Sequence, residues 1–249
     1  MNNVEPNKVT INGVQMSYRR YGEGQPLLLL HGFMGAGSDW SLIFEEPPAG
    51  YSFIIPDLRG HGHSDAPLDD FSFKQCAQDV IALLDWLDIK TVSAIGLSGG
   101  AQTLLHIATM QPKRIDKLVL VSTGHYFPQQ ARQAMASLTF DAIPPDELAQ
   151  MRKRHAKGDA QIKQLYEIGH AFKDSYEDVN FTPTYLSTIE ATTLIVHGDS
   201  DPLYPVAMSL EMVQAIPKSK LWVIPDGGHL PIFSAAVESF RGVLLEFLK

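Results

Sequence analysis

Residues 91–110 read Thr91-Val-Ser-Ala-Ile-Gly96-Leu-Ser98-Gly-Gly100-Ala-Gln-Thr-Leu-Leu-His-Ile-Ala-Thr-Met110. Up to Leu97 the run is short, apolar and partly β-branched, the pattern of a strand buried on both faces of a parallel sheet. From Ala101 the apolar residues follow a helical spacing. Between the two stands Gly96-Leu97-Ser98-Gly99-Gly100, a G-x-S-x-G sequence placed where a strand must turn abruptly into a helix. Such a turn forces the central serine into a strained backbone conformation, so small residues are needed two positions before and two after. Gly96 and Gly100 meet that need. The helix that follows aims its free N–H groups and positive dipole end at any negative charge developing on Ser98. The plainer reading is a glycine-rich strand-to-helix turn carrying an idle serine.

Reading outward, residues 14–21 alternate like a strand, and 26–30 and 51–55 are short apolar runs ending at His31-Gly32 and Pro56-Asp57. A polar turn over residues 64–70 leads into a helical pattern over 73–87. After the strand at 115–121 the β-branched runs stop. Residues 127–185 are instead rich in Gln, Ala, Lys and Glu, broken by Pro144-Pro145 and Gly158, as expected of a helical insertion. Strands at 192–196 and 220–224 then alternate with helices at 206–215 and 235–248. This order predicts an α/β fold: a mainly parallel, twisted sheet with helices on both faces, whose ligands bind beyond the strand C-termini.

The chain has 249 residues, 45% of them hydrophobic and 19% charged, enough for a full core. Its formal charge of -8 gives no general attraction to phosphate backbones or anionic lipid, so neither nucleic acid nor a membrane surface is the expected partner. Cys76 is the single cysteine, which rules out an intramolecular disulfide or a Cys-rich zinc site and fits a buried filler. No stretch has the pattern of a signal peptide or bilayer span, and a cytoplasmic location is expected. Oligomeric state is not readable from the sequence.

Several separate motifs, in chain order, resemble those of the α/β-hydrolase fold family over nearly the whole chain. His31-Gly32-Phe33-Met34-Gly35 is similar to its H-G-x oxyanion loop, and residues 56–64, Pro-Asp-Leu-Arg-Gly-His-Gly-His-Ser, to its D-x-R-G-x-G-x-S turn. His197-Gly198-Asp199-Ser200-Asp201 resembles the acid-bearing turn and Gly227-Gly228-His229 the histidine loop. The resemblance implies a helical cap inserted after the sixth strand, dividing the chain into a core of residues 1–126 and 186–249 and a cap of 127–185.

Acyl transfer by serine needs a base, because the hydroxyl is a weak nucleophile at neutral pH and histidine titrates in the working range. If the family's order of serine, acid and histidine holds, His229 is selected among nine histidines, since no other lies downstream of Asp201. Proximity to the strand end does not choose between Asp199 and Asp201. The family spacing, with the acid three residues after Gly198, selects Asp201, although an Asp201-Pro202 pair could also simply cap a turn. The resemblance further implies an oxyanion hole made by the backbone N–H groups of Phe33 and Gly99. Substrate would then be lined by Phe33, Met34 and Leu97, with His125 and Tyr126 forming a wall beneath the cap.

Other conspicuous residues take structural readings. His31 and Arg59 pin loops. His61-Gly62-His63-Ser64-Asp65 matches part of a binuclear metal motif but has alanine where the final histidine belongs, so no metal is expected. Arg152-Lys153-Arg154-His155 reads as a solvated helix face. The expected activity is cofactor-free hydrolysis of a small-molecule carboxylic ester or lactone through an acyl-enzyme on Ser98. Carbon–carbon bond hydrolysis or perhydrolysis on the same residues, and a slow-turnover ligand-binding or signalling role, are the alternatives.

Overall fold

The β5 strand, Val92–Leu97, lies near the middle of an eight-stranded sheet with order β1-β2-β4-β3-β5-β6-β7-β8. The structure, a computed structural model, describes residues 5–65, 71–233 and 235–249. The other strands are β1 (Asn7–Ile11), β2 (Val14–Gly22), β3 (Gln25–Leu30), β4 (Tyr51–Pro56), β6 (Ile115–Val121), β7 (Thr192–Gly198) and β8 (Ser219–Ile224). From β4 through β3 to β8 all pairings are parallel; β1 and β2 are antiparallel additions at one edge.

Residues alternate between the two faces, so an unbroken apolar run such as Leu27 to Leu30 feeds two cores. Leu28 and Leu30 pack with α1 (Phe73–Trp86) and α2 (Gly99–Met110) through Val80, Leu84, Leu104 and Leu105. Leu27 and Leu29 face the other way, toward Trp40, Ile43 and the Phe240, Leu244 and Leu248 side chains of α8 (Val237–Leu248). All four leucines are fully buried, each contributing about 1.5–3 kcal/mol of apolar transfer. This double coverage holds the C-terminal ends of β5, β6 and β7 in fixed register, and the site is built there.

Strand β1 is absent from the sequence reading, which begins the sheet at residue 14. It pairs with β2 through a two-residue turn at Asn12-Gly13 whose φ angles, 48° and 78°, are both positive, as a type I′ hairpin demands. Its alternation, Lys8-Val9-Thr10-Ile11, is short, and only Ile11 is fully buried. The turn expected over residues 64–70 lies partly outside the described residues.

Between β6 and β7 the chain forms α3 (Gln129–Ala136), α4 (Pro145–Arg154), α5 (Asp159–Ala171) and the short α6 (Pro183–Leu186). Helix α4 begins at Pro145, carries Asp146 and Glu147 in its first turn and Arg152 to Arg154 in its last, matching the helix dipole at both ends. Ile143, Met151, Ile162 and Tyr166 make a small separate cluster, whereas Phe127, Ala131, Phe172 and Phe181 join the main core. Asp178 of this segment also accepts the N–H groups of Phe73 (2.8 Å) and Lys74 (3.1 Å), tying it to the start of α1. Helix α7 (Val206–Ala215) completes the sequence of elements before β8.

Candidate active site

Ser98 sits at φ 49° and ψ -114°, between the last residue of β5 and the first of α2. Its N–H donates to Val121 O (2.8 Å) and its carbonyl accepts from Gln102 N (3.0 Å), fixing it from both sides. The glycines around it are required by contact. A Cβ on Gly96 would stand 2.6 Å from Ala101 N, and one on Gly100 would stand 2.3 Å from Leu30 O, closer than real atoms approach.

His229 follows β8 on a loop laced to the turn after β7. Ser200 N donates to Gly227 O (2.8 Å) and Asp199 N to Ile224 O (3.2 Å), and a Cβ on Gly198 would collide with Gly227 O at 2.3 Å. The lacing delivers His229 Nδ1 to 2.8 Å from Asp201 Oδ2 and Nε2 to 2.9 Å from Ser98 Oγ. Asp201 Oδ1 accepts the N–H groups of Leu203 (2.8 Å) and Tyr204 (3.2 Å). Burial alone would raise the Asp201 carboxyl, but the hydrogen bond and charge of His229 and the two backbone donors outweigh it and hold it below the usual carboxylate range. An ionised Asp201 accepts the Nδ1 proton, which leaves Nε2 as the acceptor for the Ser98 hydroxyl. Asp199 is exposed and bonded to Ser200 Oγ (3.1 Å) rather than to His229.

The backbones of Phe33 and Gly99 are neighbours: a Cβ on Gly99 would lie 3.1 Å from Phe33 N. As the first residue of α2, Gly99 has no intrahelical acceptor for its N–H. The Phe33 loop is held by three buried histidines. His31 donates to Gly32 O (2.8 Å) and accepts from Leu58 N (2.9 Å). His61 donates to Arg59 O (2.9 Å) and accepts from Met34 N (3.1 Å). His155 donates to Met34 O (3.1 Å) and accepts from Gly62 N (3.1 Å). Acting as acceptors requires neutral rings, and burial pushes the pKa of each below its ordinary value, His155 to about 4. These contacts keep Met34 at φ 64° and orient the Phe33 amide.

Here the sequence reading needs three corrections, at His155, at His125 and Tyr126, and at Leu97. His155 is buried, not part of a solvated face; the basic run divides, with Arg152 paired to Asp159 on the exterior and Arg154 to Asp39 half-buried. His125 and Tyr126 do not line the cavity over Ser98. His125 is buried 3.2 Å from Glu211 of α7, and Tyr126 is 40% exposed, bridged to Asn180. The chain leaves β6 through Ser122 at φ 50°, and Phe127, two residues beyond His125, is the residue of this connection that enters the cavity wall.

The cavity over Ser98 holds about 220 Å³ and is walled by Phe33, Met34, Phe73, Phe127, Met135 and Phe172. Phe33 and Phe172 meet edge to face with ring centres 4.9 Å apart. Leu97 instead lines a second hollow of about 240 Å³ on the other side of the Phe33-Met34 loop, with Leu230, Phe233 and the Arg154–Asp39 pair. A larger surface hollow beside Asn12 and Gln75 has no link to these groups. Sequence reasoning also missed Gln102 and Tyr204, which enter the cavity wall; the spacing of Gln102 one turn beyond Ser98 was the available signal. Among the described residues no three His, Cys, Asp or Glu side chains converge as a metal site, and no helix is long and apolar enough to cross a membrane.

A hydroxyl, imidazole and carboxylate in hydrogen-bonded series at the C-terminal edge of a mostly parallel sheet, with the nucleophile on a strand-to-helix turn, define an α/β-hydrolase. The alpha/beta hydrolase family model matches residues 27–241, and the chain belongs to that family. It is similar to the serine hydrolase BPHL of Mus musculus, 31% identical over 261 residues covering 97% of this chain and 86% of that one. The structure called Est816, an N-acyl homoserine lactone degrading enzyme, is 27% identical with a TM-score of 0.76, covering 97% and 100% of the two chains. The meta-cleavage product hydrolase of Pseudomonas fluorescens IP01 shares the fold, with a TM-score of 0.81 at 23% identity over 97% of both chains.

Proposed function

We propose that the protein hydrolyses a small carboxylic ester or lactone by acylating Ser98, with His229 as general base, Asp201 as its orienting acid and the Phe33 and Gly99 N–H groups as oxyanion donors. The observation that carries this reading is the continuous series from Asp201 through His229 to Ser98 at 2.8 and 2.9 Å, opening on an apolar cavity. His229 Nε2 takes the Ser98 proton as Oγ attacks the carbonyl carbon. The resulting oxyanion is met by donors already in place, each worth about 10²- to 10³-fold in turnover. Protonated His229 then gives its proton to the leaving oxygen, and water deacylates Ser98 by the same route in reverse. In a lactone the leaving oxygen stays tethered to the acyl group. The helices between β6 and β7 act as a cap whose inner surface sets the acyl chain that fits.

Rapid mixing with 4-nitrophenyl acetate tests the acyl-enzyme. A burst of nitrophenolate equal to the enzyme concentration, or steady turnover abolished by Ser98→Ala, supports it. Turnover that survives Ser98→Ala rejects it.

A further inference from the structure

The cavity over Ser98 is apolar except at four side chains: Ser98, His229, Gln102 and Tyr204. Ser98 and His229 are spent on each other. Gln102 and Tyr204 form a separate pair, Gln102 Nε2 donating to Tyr204 Oη at 2.8 Å, with the two residues only 1% and 2% exposed.

A phenolic oxygen that accepts one hydrogen bond still has its own proton to place. No described residue accepts it. Turning the amide over does not remove the difficulty, because Tyr204 would then donate to Gln102 Oε1 and leave the amide N–H groups without an acceptor. Either way the pair holds an N–H or O–H that is unspent inside an apolar wall, where buried donors are almost always matched. Burial pushes the Tyr204 phenol up, against the smaller lowering effect of the Gln102 hydrogen bond, so it stays protonated at working pH.

The pair is also rigid with respect to the chemistry. Gln102 stands one turn after Ser98 on α2, its N–H bonded to Ser98 O. Tyr204 is fixed by its own N–H on Asp201 Oδ1 (3.2 Å) and by its carbonyl on His197 Nε2 (2.8 Å). Its ring centre lies 5.9 Å from that of His229, and Gly124 leaves the room it occupies, since a Cβ there would meet Tyr204 Cδ1 at 2.7 Å.

We propose that Gln102 and Tyr204 are a specificity site for an oxo oxygen in the acyl part of the substrate, a few bonds from the carbonyl that Ser98 attacks. The assignment rests on the ester-hydrolase reading above. An oxo group fits better than a carboxylate, because no Lys or Arg lines this cavity among the described residues.

The test compares 4-nitrophenyl hexanoate with the 4-oxohexanoate and 5-oxohexanoate esters on wild type, Tyr204→Phe and Gln102→Leu. The readout is the ratio of kcat/KM values, oxo over plain, within each protein, which a general loss of activity does not move. Wild type should favour at least one oxo ester by about tenfold, and both variants should bring that ratio to within about twofold of one. A wild-type ratio near one on both oxo esters, or a ratio that survives both substitutions, overturns the proposal. A second arm measures binding of the matching methyl esters to Ser98→Ala by calorimetry. If wild type cleaves none of the esters, the ester-hydrolase reading falls, and this arm decides on its own: about tenfold tighter binding of an oxo ester, lost on adding Tyr204→Phe, supports the site, and equal binding overturns it.

Discussion

Asp201 presents one carboxylate oxygen to His229 Nδ1 at 2.8 Å and the other to the backbone N–H groups of Leu203 and Tyr204. Both oxygens are thereby committed, and the imidazole that meets them is held in one tautomer with Nε2 toward Ser98. Asparagine is nearly the same shape, but its NH₂ cannot accept from Nδ1–H. Asp201→Asn should therefore lower kcat by about 10⁴-fold with little change in unfolding midpoint. Asp199→Asn, on an exposed side chain bonded to Ser200, should change kcat far less. Kinetics and thermal melts of the two variants side by side check the ranking.

The helices between β6 and β7 give a prediction about chain length. A Cβ on Gly169 would lie 3.0 Å from Phe33 Cε1 and Leu138 Cδ1 and 3.1 Å from Met34 Cε, all at the cavity wall. Gly169→Ala should push these side chains inward and shift the preferred 4-nitrophenyl ester toward shorter acyl chains, with kcat/KM for hexanoate falling about tenfold more than for acetate. Tyr126→Ala, away from the cavity, should leave the profile unchanged. A chain-length series on both variants reads this directly.

How much of this was legible beforehand depends on whether the cause was local. The turn at Ser98 could be read because its steric demand falls on Gly96 and Gly100, which stand beside it in sequence. The Asn12-Gly13 hairpin was readable too, since that dipeptide is a strong type I′ signal and Lys8-Val9-Thr10-Ile11 alternates before it, but the run is short and only Ile11 is fully buried. His125 and Tyr126 were misplaced because the groups they meet, Glu211 and Asn180, lie far along the chain and leave no local pattern. The Gln102–Tyr204 pair spans a separation of 102 residues, and His155 reaches Gly62 across 93. Contacts that distant are set by packing, and periodicity carries no trace of them.

The loop histidines make stability depend on pH. His155 accepts the Gly62 N–H only while neutral, and its folded pKa is lowered, mainly by burial, from 6.5 to about 4. The unfolded chain therefore binds the proton first as pH falls. Stability from this residue is fully present above pH about 6.5 and is lost progressively as pH drops toward about 4. The unfolding midpoint should fall over that window, and less steeply in His155→Gln, whose side chain does not titrate. Thermal melts of both proteins from pH 7 to pH 4 test the slope; equal slopes would assign the acid sensitivity to other groups.

The central claim is that Ser98 is the single nucleophile. Intact-protein mass spectrometry after treatment with a fluorophosphonate measures it most directly. One adduct should form on wild type, located at Ser98 after digestion, and none on Ser98→Ala, whose turnover should be down by a factor on the order of 10⁶. Labelling of Ser98→Ala at the same rate as wild type, or an adduct on any other residue, would contradict the account.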